Sequence, residues 1–508
     1  MAKGKVFLVG AGPGNPGLIT VRGRELLQIA DLVLYDGLVN PLILRWAHCP
    51  CEKTARTRRH GQQVVSQETI NQRMISEAEQ GRTVVRLKGG DPYIFGRGSE
   101  EAEALANAGI DYEVVPGITA ATGAAEFAGF SFTHRKAASA VAFVTGHEDP
   151  TKECSRLDFE ALAEFPGTLV FYMGLNRIHD ICAKLIESGM PQSTPAAVIC
   201  RASLPDQKVA VGSLHSLPEF VDSRHLKAPS LIVVGDCVTL REDRPWFEKG
   251  TLFGLNIGIT RPNDQCDEIV QKIVQRSGNP VPMPLIKISP IEADEASDLQ
   301  KVIGSLQNYN WLIFTSTNGV SAFFDHLWNG GGDLRCLHSL KIAAIGTATA
   351  AEVQRRMIRV DVVPGQFRAE ALAAELAPLV RNQRVLWARA SRGRDVLPAR
   401  LRDAGADVDE IVVYRNEDVE QFDPGALEMI RSGDLHWIGL SSPSIARQFV
   451  KLVQAADLKP AELRTKIATI SPVTTAALSE CGFSVAAEAD TFTWDGIIEA
   501  IEKTTASA

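Results

Sequence analysis

Two glycine-rich stretches decide the fold of the amino half of this chain: Val9-Gly10-Ala11-Gly12-Pro13-Gly14-Asn15-Pro16, and Arg86-Leu87-Lys88-Gly89-Gly90-Asp91-Pro92-Tyr93-Ile94-Phe95-Gly96-Arg97-Gly98. Each contains or follows an apolar run, residues 6–9 and 84–87, of a length typical of a buried strand. Glycines at such places predict sharp turns at the carboxyl ends of strands, where open α/β sheets bind ligands. Together the two stretches predict a nucleotide-like pocket.

Length and composition place the chain among multidomain globular proteins. It has 508 residues, of which 45% are apolar, and this is enough for several cores. The net charge of −8 is spread without long like-charge blocks, which argues against a nucleic-acid tail or a basic membrane-binding face. No leader-like start and no apolar run of about 18 residues is found, so we expect a cytoplasmic protein. Nine cysteines without framework spacing favour reduced thiols, and we expect no metal site.

The main domain boundary is predicted at the polar segment 240–250, which carries proline and glycine between two strand-like runs. We therefore expect one domain over 1–248 and a second over 254–508. Both alternate short β-branched runs with stretches rich in Ala, Leu and Glu. This alternation predicts parallel or mostly parallel sheets covered by helices.

A dinucleotide-binding turn is the first alternative for the stretch around Gly12. That fingerprint requires a small residue where this chain has Asn15, and Pro13 and Pro16 lack the amide donors that would hold a pyrophosphate. A close approach of backbone without a phosphate cradle suits a ligand with an adenosine and an amino-acid end. S-adenosylmethionine is such a ligand.

Residues 4–245 resemble the uroporphyrinogen-III C-methyltransferases, a family of tetrapyrrole methylases, through motifs that recur in order. Beyond the two glycine stretches, these motifs are Ala30-Asp31 with Leu34-Tyr35-Asp36, Val115-Pro116-Gly117-Ile118-Thr119-Ala120-Ala121, Thr133-His134-Arg135, Thr145-Gly146-His147 and Tyr172-Met173-Gly174. The resemblance implies a two-lobed α/β methylase fold. It also implies methylation of uroporphyrinogen III at C-2 and C-7, giving precorrin-2, with S-adenosylmethionine as donor.

The resemblance also assigns residues to the donor pocket. They are Pro13, Gly89, Gly90, Asp91, Ile94, Thr119, Ala120, Met173 and Ala202. Asp91 is expected to accept from ribose hydroxyls or the ammonium group, and Ile94 and Met173 to supply apolar packing. Ala202 lies in a segment, 200–203, that departs from the Gly-Thr pair of relatives, so only its backbone can serve the adenine.

Catalytic roles are implied for two positions. Asp36, at the end of a predicted strand, matches the proton acceptor of the family. Where the family has Lys followed by Arg, this chain has Arg58 and Arg59. Arginine does not give up its proton, so either the general acid at position 58 is dispensable or both side chains bind substrate carboxylates. We favour carboxylate binding.

The carboxyl half is similar to uroporphyrinogen-III synthases through four hydroxyl-rich turns, which begin at Thr315, Ala344, Leu440 and Thr469. That family closes hydroxymethylbilane into uroporphyrinogen III. The similarity assigns Tyr414 to helping the hydroxyl leave. It places Thr349, Ser441, Thr474 and Thr475 around the substrate, and Arg261, Arg389, Arg392 and Arg394 are further candidates for its carboxylates.

The expected architecture is therefore α/β throughout, with a two-lobed methylase fold followed by a two-lobed synthase fold. Lobe 1 of the synthase would cover about 254–287 and 417–508, and lobe 2 about 290–413. A homodimer through the amino-terminal domain is implied by the methylase family. The alternative function is methylation of another corrin intermediate, with a carboxyl half that binds a ligand without catalysis.

Overall fold

The computed structural model describes residues 3–54, 66–146, 157–393 and 395–506, apart from the side chain at position 264. The described residues form four five-stranded sheets, two in each half of the chain. Each sheet carries buried apolar clusters on both faces. In the strand Lys5–Gly10, for example, Val6 and Leu8 enter one cluster whereas Phe7 and Val9 enter the other, as the two-residue period of a strand requires.

The first sheet of the amino half is entirely parallel. Its strands are β1 (Lys5–Gly10), β2 (Leu32–Asp36), β3 (Cys51–Thr54), β4 (Val84–Lys88) and β5 (Asp111–Val115). They lie in the order β3-β2-β4-β1-β5. The carboxyl ends of β2, β4, β1 and β5 therefore meet at one edge, and this edge carries both glycine stretches.

The second sheet corrects the prediction of mostly parallel pairing. Its strands are β6 (Val141–Thr145), β7 (Thr168–Tyr172), β8 (Pro195–Cys200), β9 (Lys208–Ser213) and β10 (Ser230–Val234), in the order β6-β7-β10-β8-β9. Only β6 and β7 pair in parallel. The loop 201–207 joins β8 to β9 without a helix, and a parallel pair needs a crossover of about a dozen residues or more.

Helices cover these two sheets. They are α1 (Val21–Ile29), α2 (Gln67–Glu79), α3 (Gly98–Asn107), α4 (Ala120–Ala128), α5 (Phe159–Ala163), α6 (Ile178–Glu187) and α7 (Leu217–Ser223). Thr20 and Ser66 begin α1 and α2 because their side chains accept hydrogen bonds from exposed N–H groups of the first turn. The alanine face of α4 packs against the second sheet, although the helix follows β5 of the first. This helix therefore joins the two lobes.

The carboxyl half has two further sheets. Its strands are β11 (Asn256–Ile259), β12 (Asn279–Pro282), β13 (Ile286–Ser289), β14 (Trp311–Phe314), β15 (Lys341–Ala344), β16 (Arg384–Ala390), β17 (Asp407–Asp418), β18 (Trp437–Leu440), β19 (Lys466–Thr469) and β20 (Ala487–Glu488). One sheet has the order β12-β11-β18-β19-β20 and the other β13-β17-β16-β14-β15. All pairs are parallel except β13 with β17. The first of these sheets is discontinuous in sequence, because the chain leaves it after β12 and returns at β18.

Ten helices are described in this half. They are α8 (Asp267–Gln275), α9 (Ala293–Ile303), α10 (Thr317–Asn329), α11 (Thr347–Gln354), α12 (Ala369–Leu376), α13 (Val396–Asp403), α14 (Pro424–Ser432), α15 (Pro443–Ala455), α16 (Pro472–Ser479) and α17 (Trp494–Ala506). Among the described residues, none of the helices is both long and apolar enough to cross a membrane.

Candidate active sites

Three main-chain segments meet at the carboxyl edge of the first sheet, where β4, β1 and β5 are neighbours. The N–H of Gly12 donates to the carbonyl of Gly90 at 3.1 Å, and the N–H of Gly90 donates to the carbonyl of Gly12 at 2.8 Å. A Cβ atom on Gly117 would lie 2.3 Å from the carbonyl oxygen of Gly90 and 2.7 Å from Cα of Gly10. Only glycine fits here, so the three turns touch through their backbones.

Asp91 fixes the turn that follows this crossing. Its Oδ1 accepts from the N–H groups of Tyr93 and Ile94 at 2.8 and 3.2 Å, and its Oδ2 accepts from the N–H of Gly117 at 3.0 Å. A carboxylate has about four lone-pair sites, so one site on Oδ2 remains for a ligand. The sequence predicts a ligand contact for Asp91. In the structure its carboxylate also connects the loop after β4 to the loop after β5.

Tyr172, at the end of β7, connects the second sheet to the first turn of α4. Its hydroxyl lies 2.6 Å from Oγ1 of Thr119 and accepts from the N–H of Ala121 at 3.0 Å. Burial raises the pKa of this phenol. Tyr172 therefore holds Thr119 and Ala120, both predicted for the donor pocket, against the other lobe. No role for Tyr172 is predicted from the sequence.

Exposed apolar side chains surround the crossing. Met173 follows Tyr172 with a φ of 55° and is 54% exposed, and Phe95 has a φ of 52° with 41% exposure. Ile94 is 38% exposed. Non-glycine residues at positive φ are strained by about 1–3 kcal/mol and concentrate at functional sites. Met173 and Phe95 therefore present partly exposed apolar surface, and the ring of Phe95 packs on that of Tyr172 with a centroid distance of 4.8 Å.

Two further residues predicted for the donor pocket, Pro13 and Ala202, lie in loops that contact α4 or the first glycine stretch. Pro13 abuts α4, since a Cβ on Gly123 would lie 2.5 Å from the proline ring. Ala202 lies between Arg201 and Ser203, whose φ values are 50° and 64°. Ser203 accepts from the N–H of Asn15 at 3.0 Å, which ties the Ala202 loop to the first glycine stretch.

Asp36 belongs to a buried charge network that is not predicted from the sequence. Arg86 on β4 is fully buried and forms an ion pair with Asp36. The Nε of Arg86 lies 3.1 Å from Oε1 of Glu101, and the Nζ of Lys88 lies 2.8 Å from Oε2 of the same residue. Thr54 donates to Oδ1 of Asp36 at 3.3 Å. Two cations and two carboxylates thus balance, and of these four side chains only Asp36 has appreciable exposure, 23%.

Burial affects the two cations of this network differently. Burial opposes the charge of Arg86, but the carboxylates of Asp36 and Glu101 outweigh it and raise the pKa of the guanidinium. For Lys88, burial and then the neighbouring Arg86 lower the pKa of the ammonium. Arg86 therefore stays charged and fixes the position of the Asp36 carboxylate at the edge of the cleft. Arg58 and Arg59 lie outside the described residues.

In the carboxyl half, hydroxyl-bearing turns lie at the carboxyl ends of parallel strands in both sheets. Ser316 after β14 and Ser442 after β18 cap α10 and α15 by accepting from main-chain N–H groups. The amide of Gln265 donates to Oδ1 of Asn318 at 3.0 Å, and this contact joins the two lobes. Ser441 precedes the Ser442 cap and is half-buried. The two sets of turns thus lie at facing edges of the lobes.

Three predicted substrate residues of this half have protein partners or are buried. Thr349 is buried in the first helical turn of α11. Thr474 is fully buried, with its Oγ1 3.2 Å from Oγ of Ser471. Oγ1 of Thr475 lies 2.7 Å from Oγ1 of Thr469, and the same hydroxyl donates a hydrogen bond to Oε2 of Glu488. These hydroxyls shape the turns, and Ser441 and Thr475 are half-buried whereas Thr349 and Thr474 are buried.

Tyr414 lies where β17 passes from its parallel pairing with β16 to its antiparallel pairing with β13. Its hydroxyl is 3.0 Å from Oγ of Ser316, and only 7% of the residue is exposed. Burial raises the pKa of the phenol, so the hydroxyl keeps its proton as a donor.

The arginines predicted for substrate carboxylates differ in their surroundings. Arg389 pairs with Glu410, and Arg392 lies 2.7 Å from Asp418 at the end of β17, so both contact carboxylates of the protein itself. Arg261 is partly buried after β11, where burial lowers the pKa of its guanidinium. Arg394 lies outside the described residues.

Comparisons with known proteins cover both halves. Residues 5–218 match the tetrapyrrole (corrin/porphyrin) methylases, and residues 267–499 match uroporphyrinogen-III synthase HemD. The chain is 35% identical over 451 residues to the porphyrin biosynthesis protein HemD of Ruminiclostridium josui, and the match covers 89% of each chain. It is 46% identical to the S-adenosyl-L-methionine-dependent uroporphyrinogen III methyltransferase of Methanosarcina barkeri, over 47% of this chain and 94% of the relative.

Two further similarities concern the amino half. A structure of the Thermus thermophilus uroporphyrin-III C-methyltransferase complexed with S-adenosyl homocysteine is 34% identical, over 47% of this chain and 100% of that one, with a TM-score of 0.41. The siroheme synthase of Ectopseudomonas mendocina is 48% identical, but the chain spans only 53% of its length.

Fold and sites together define a tetrapyrrole-biosynthesis enzyme with two α/β halves, each built from two lobes. The chain belongs to the tetrapyrrole methylase family in its amino half and to the uroporphyrinogen-III synthase family in its carboxyl half. Both resemblances inferred from the sequence are confirmed, as is the predicted fold class.

Proposed function

We propose that the protein is a bifunctional enzyme. Its carboxyl half would close hydroxymethylbilane to uroporphyrinogen III, and its amino half would methylate that product at C-2 and C-7 to give precorrin-2. The observation that carries the proposal is the backbone crossing of Gly12, Gly90 and Gly117, around which the residues predicted for the methyl donor gather. This chemistry belongs to the synthesis of sirohaem or cobalamin, and we propose that it takes place in the cytoplasm.

The crossing has the features that a donor such as S-adenosylmethionine requires. Such a donor supplies a methyl group on a positively charged sulfur. Asp91 offers its remaining Oδ2 lone pair to a hydroxyl or ammonium group, and Gly89 is half-buried beside the buried Gly90, so main chain without a side chain lies at the edge of the crossing. Ile94 and Met173 offer apolar surface beside it, and Ala202 presents its backbone to the adenine. The remaining pocket residues, Pro13, Thr119 and Ala120, hold α4 against these bends.

For the acceptor, the edge of the first sheet next to Asp36 is the proposed place of reaction. A pyrrole carbon that takes up a methyl group must afterwards lose a proton, and we assign its uptake to the Asp36 carboxylate. Arg86 and Thr54 fix that carboxylate from behind. Arg58 and Arg59, which follow β3, are proposed to bind the carboxylates of the substrate.

For ring closure, the proposed site is the cleft between the two lobes of the carboxyl half. The Tyr414 hydroxyl would donate a hydrogen bond to the departing hydroxyl group of the substrate. Ser441, with the turns that Thr349, Thr474 and Thr475 shape, would present hydroxyl and N–H groups to substrate carboxylates. Arg261 would contribute positive charge.

Two assays of the full-length protein test this function. With S-adenosylmethionine and uroporphyrinogen III we expect a dimethylated product, and its absence would point to the alternative, a methylase of another corrin intermediate. With hydroxymethylbilane we expect the type III isomer. Formation of only the spontaneous type I isomer would leave the carboxyl half as a ligand-binding module. We also propose a homodimer through the amino-terminal domain, which a monomeric mass in solution would contradict.

Replacing Asp91 by alanine is expected to weaken donor binding. The change removes three hydrogen bonds to main-chain N–H groups of two loops, and we expect the Kd for S-adenosylhomocysteine to rise at least about tenfold. Asp36→Ala should raise it much less, because Asp36 lies on the acceptor side. Titration calorimetry on both variants checks the difference, and equal losses would contradict these separate roles.

Replacing Tyr414 by phenylalanine is expected to slow ring closure about tenfold, the effect of one lost hydrogen bond in the transition state. Tyr309→Phe is a matched control. Tyr309 is also a buried tyrosine of lobe 2, and its hydroxyl donates to Asp409 at 2.7 Å. The initial rate of uroporphyrinogen III formation measures both. Equal rates for Tyr414→Phe and the unmodified protein would remove Tyr414 from the reaction.

A further inference from the structure

The two halves of the chain meet at a packed seam, and the seam lies directly behind the loops assigned to the methyl donor. It is lined on one side by residues of the glycine stretch and of the Ala202 loop, and on the other by the end of α8 and the start of β12. These residues include Asn15, Pro16, Ser203 and Leu204 from the amino half, and Val274, Ser277, Gly278 and Asn279 from the carboxyl half.

One connection runs through the 3-10 helix Pro41–Trp46. At its start, the amide of Asn40 donates to the carbonyl of Gly14 at 2.8 Å and so holds the first glycine stretch. Leu42 is buried in the core of the carboxyl half together with Leu252 and Ile257. Arg45, whose side chain is only 16% exposed, pairs with Asp267 at the start of α8. A single short helix therefore has one end on the donor loop and the other in the synthase half.

A second connection runs through the loop that carries Ala202. The N–H of Gly254 donates to the carbonyl of Pro205 at 3.1 Å. Within the loop, Ser203 donates its N–H to Oε1 of Gln207 at 3.0 Å. Gln207, itself 95% buried, lies 3.3 Å from Glu248 of the segment that joins the halves. The Ala202 loop is thus contacted at Gln207 by the joining segment, residues 240–250, and at Pro205 by the start of the carboxyl half.

The joining segment is itself fixed to the amino half. Trp246 donates to the carbonyl of Glu126 at 3.0 Å, and Phe247 packs edge-to-face on Phe127 with a centroid distance of 4.7 Å. Nη2 of Arg241 forms an ion pair with Oε1 of Glu248 at 2.7 Å, and both side chains are largely buried. The sequence predicts a boundary at this polar segment, and in the structure the segment packs against the last turn of α4, the helix that begins after Thr119.

We infer that the carboxyl half and the joining segment are part of the methyl-donor site. Asp267 and Glu248 act as positioning residues: they hold the glycine stretch and the Ala202 loop in place through Arg45 and Gln207. The affinity of the amino half for its donor therefore depends on contacts made by the synthase half. This inference rests on the proposed function, because it concerns the loops assigned there to the donor.

The test compares variants of the full-length protein with matched controls. Asp267→Ala leaves Arg45 partly buried without its carboxylate. Glu248→Ala removes one of the two acceptors of the Gln207 amide, the other being the carbonyl of Phe127 at 3.0 Å. Asp495→Ala is the control for the first, since Asp495 pairs with Lys272 of the same helix α8 at 2.8 Å, and this contact lies within the carboxyl half. Glu242→Ala is the control for the second, because its pair with Lys249 in the joining segment is exposed.

Titration with S-adenosylhomocysteine is the main measurement. We expect Kd to rise at least about fivefold for Asp267→Ala and Glu248→Ala, and to change less than about twofold for the controls. KM for the donor should rise in parallel, with kcat nearly unchanged. Unfolding midpoints and the synthase rate report whether each variant is folded. Folded Asp267→Ala and Glu248→Ala variants that bind as tightly as their controls would overturn the inference. Failure of the unmodified protein to bind would instead remove the proposed donor site itself.

Discussion

The variant Asp36→Asn should lose methyl transfer by about 10²- to 10⁴-fold in kcat, the range measured when a general base is removed. The amide keeps the size of the side chain and can still accept from Thr54, but it cannot take up the proton released by the methylated pyrrole carbon. Donor affinity should change little. The measurement is the rate of dimethylated product formed from uroporphyrinogen III.

The buried network supplies a sharp control for this result. Glu101→Gln also removes one negative charge from the cluster of Arg86 and Lys88, but Glu101 is fully buried and does not reach the cleft. Since both cations depend on Glu101, we expect this variant to lose about 3–5 kcal/mol of unfolding free energy. Its folded fraction should nevertheless methylate within about tenfold of the unmodified rate. If both variants lost activity to the same extent, the loss would come from the network and Asp36 would not be the proton acceptor.

Gly117→Ala is expected to abolish donor binding and to lower methyl transfer at least about a hundredfold, since shifts of about 1 Å in a site can have this effect. The new Cβ would lie 2.3 Å from the carbonyl oxygen of Gly90. This oxygen belongs to the main chain, and the position of Cβ is fixed by the backbone, so no change of rotamer can relieve the clash. The crossing must therefore open, and the hydrogen bond from the N–H of Gly117 to Asp91 is lost with it.

Gly37→Ala is the matched control for this change. Gly37 follows Asp36 at the same edge of the sheet, but a Cβ there would meet only Cε of Lys53, at 3.6 Å. We expect Gly37→Ala to bind S-adenosylhomocysteine within about twofold of the unmodified protein, since exposed substitutions without a clash have small effects. Near-normal donor binding by Gly117→Ala would show that the donor lies elsewhere. Ring closure by the carboxyl half should persist in both variants.

The glycine turns of the crossing could be predicted from the sequence largely because their requirements are local. A turn that needs close backbone contact shows itself as glycine after an apolar run, and this is how Gly10, Gly12 and Gly90 are recognised. Which strand ends are neighbours is not a local property. The contact of Gly117 with Gly10 depends on β5 pairing with β1, which follows from the sheet order.

The charge network was missed for a physical reason. Arg86 and Lys88 occupy alternate positions of β4, so both point to the same face, and a strand with alternating charges is typical of a solvated face. Their burial arises from the packing of α3, which brings Glu101, and of β2, which brings Asp36. The available signal was that two cations interrupt an otherwise continuous apolar run.

The antiparallel pairs of the second sheet were also missed. The alternation of strands and helices predicts parallel or mostly parallel sheets, but the loop between Cys200 and Lys208 contains no helix and returns the chain directly. The role of Tyr172 is likewise not predicted from the sequence, because its partners, Thr119 and Ala121, follow a strand of the first sheet whereas Tyr172 lies on the second.

The interrupted first lobe of the carboxyl half has a consequence for biosynthesis on the ribosome. Domains generally fold from the amino end during synthesis, and both sheets of the amino half are complete once β10 has emerged. β11 must wait longer, because one of its neighbours is β18, with Ile257 opposite Trp437. Until translation reaches that strand, one edge of β11 remains unpaired and Leu42 lacks the full apolar surface that covers it. The carboxyl-terminal part of the chain, which is synthesised last, therefore completes the apolar core that holds Leu42 and supports the glycine loops of the amino half.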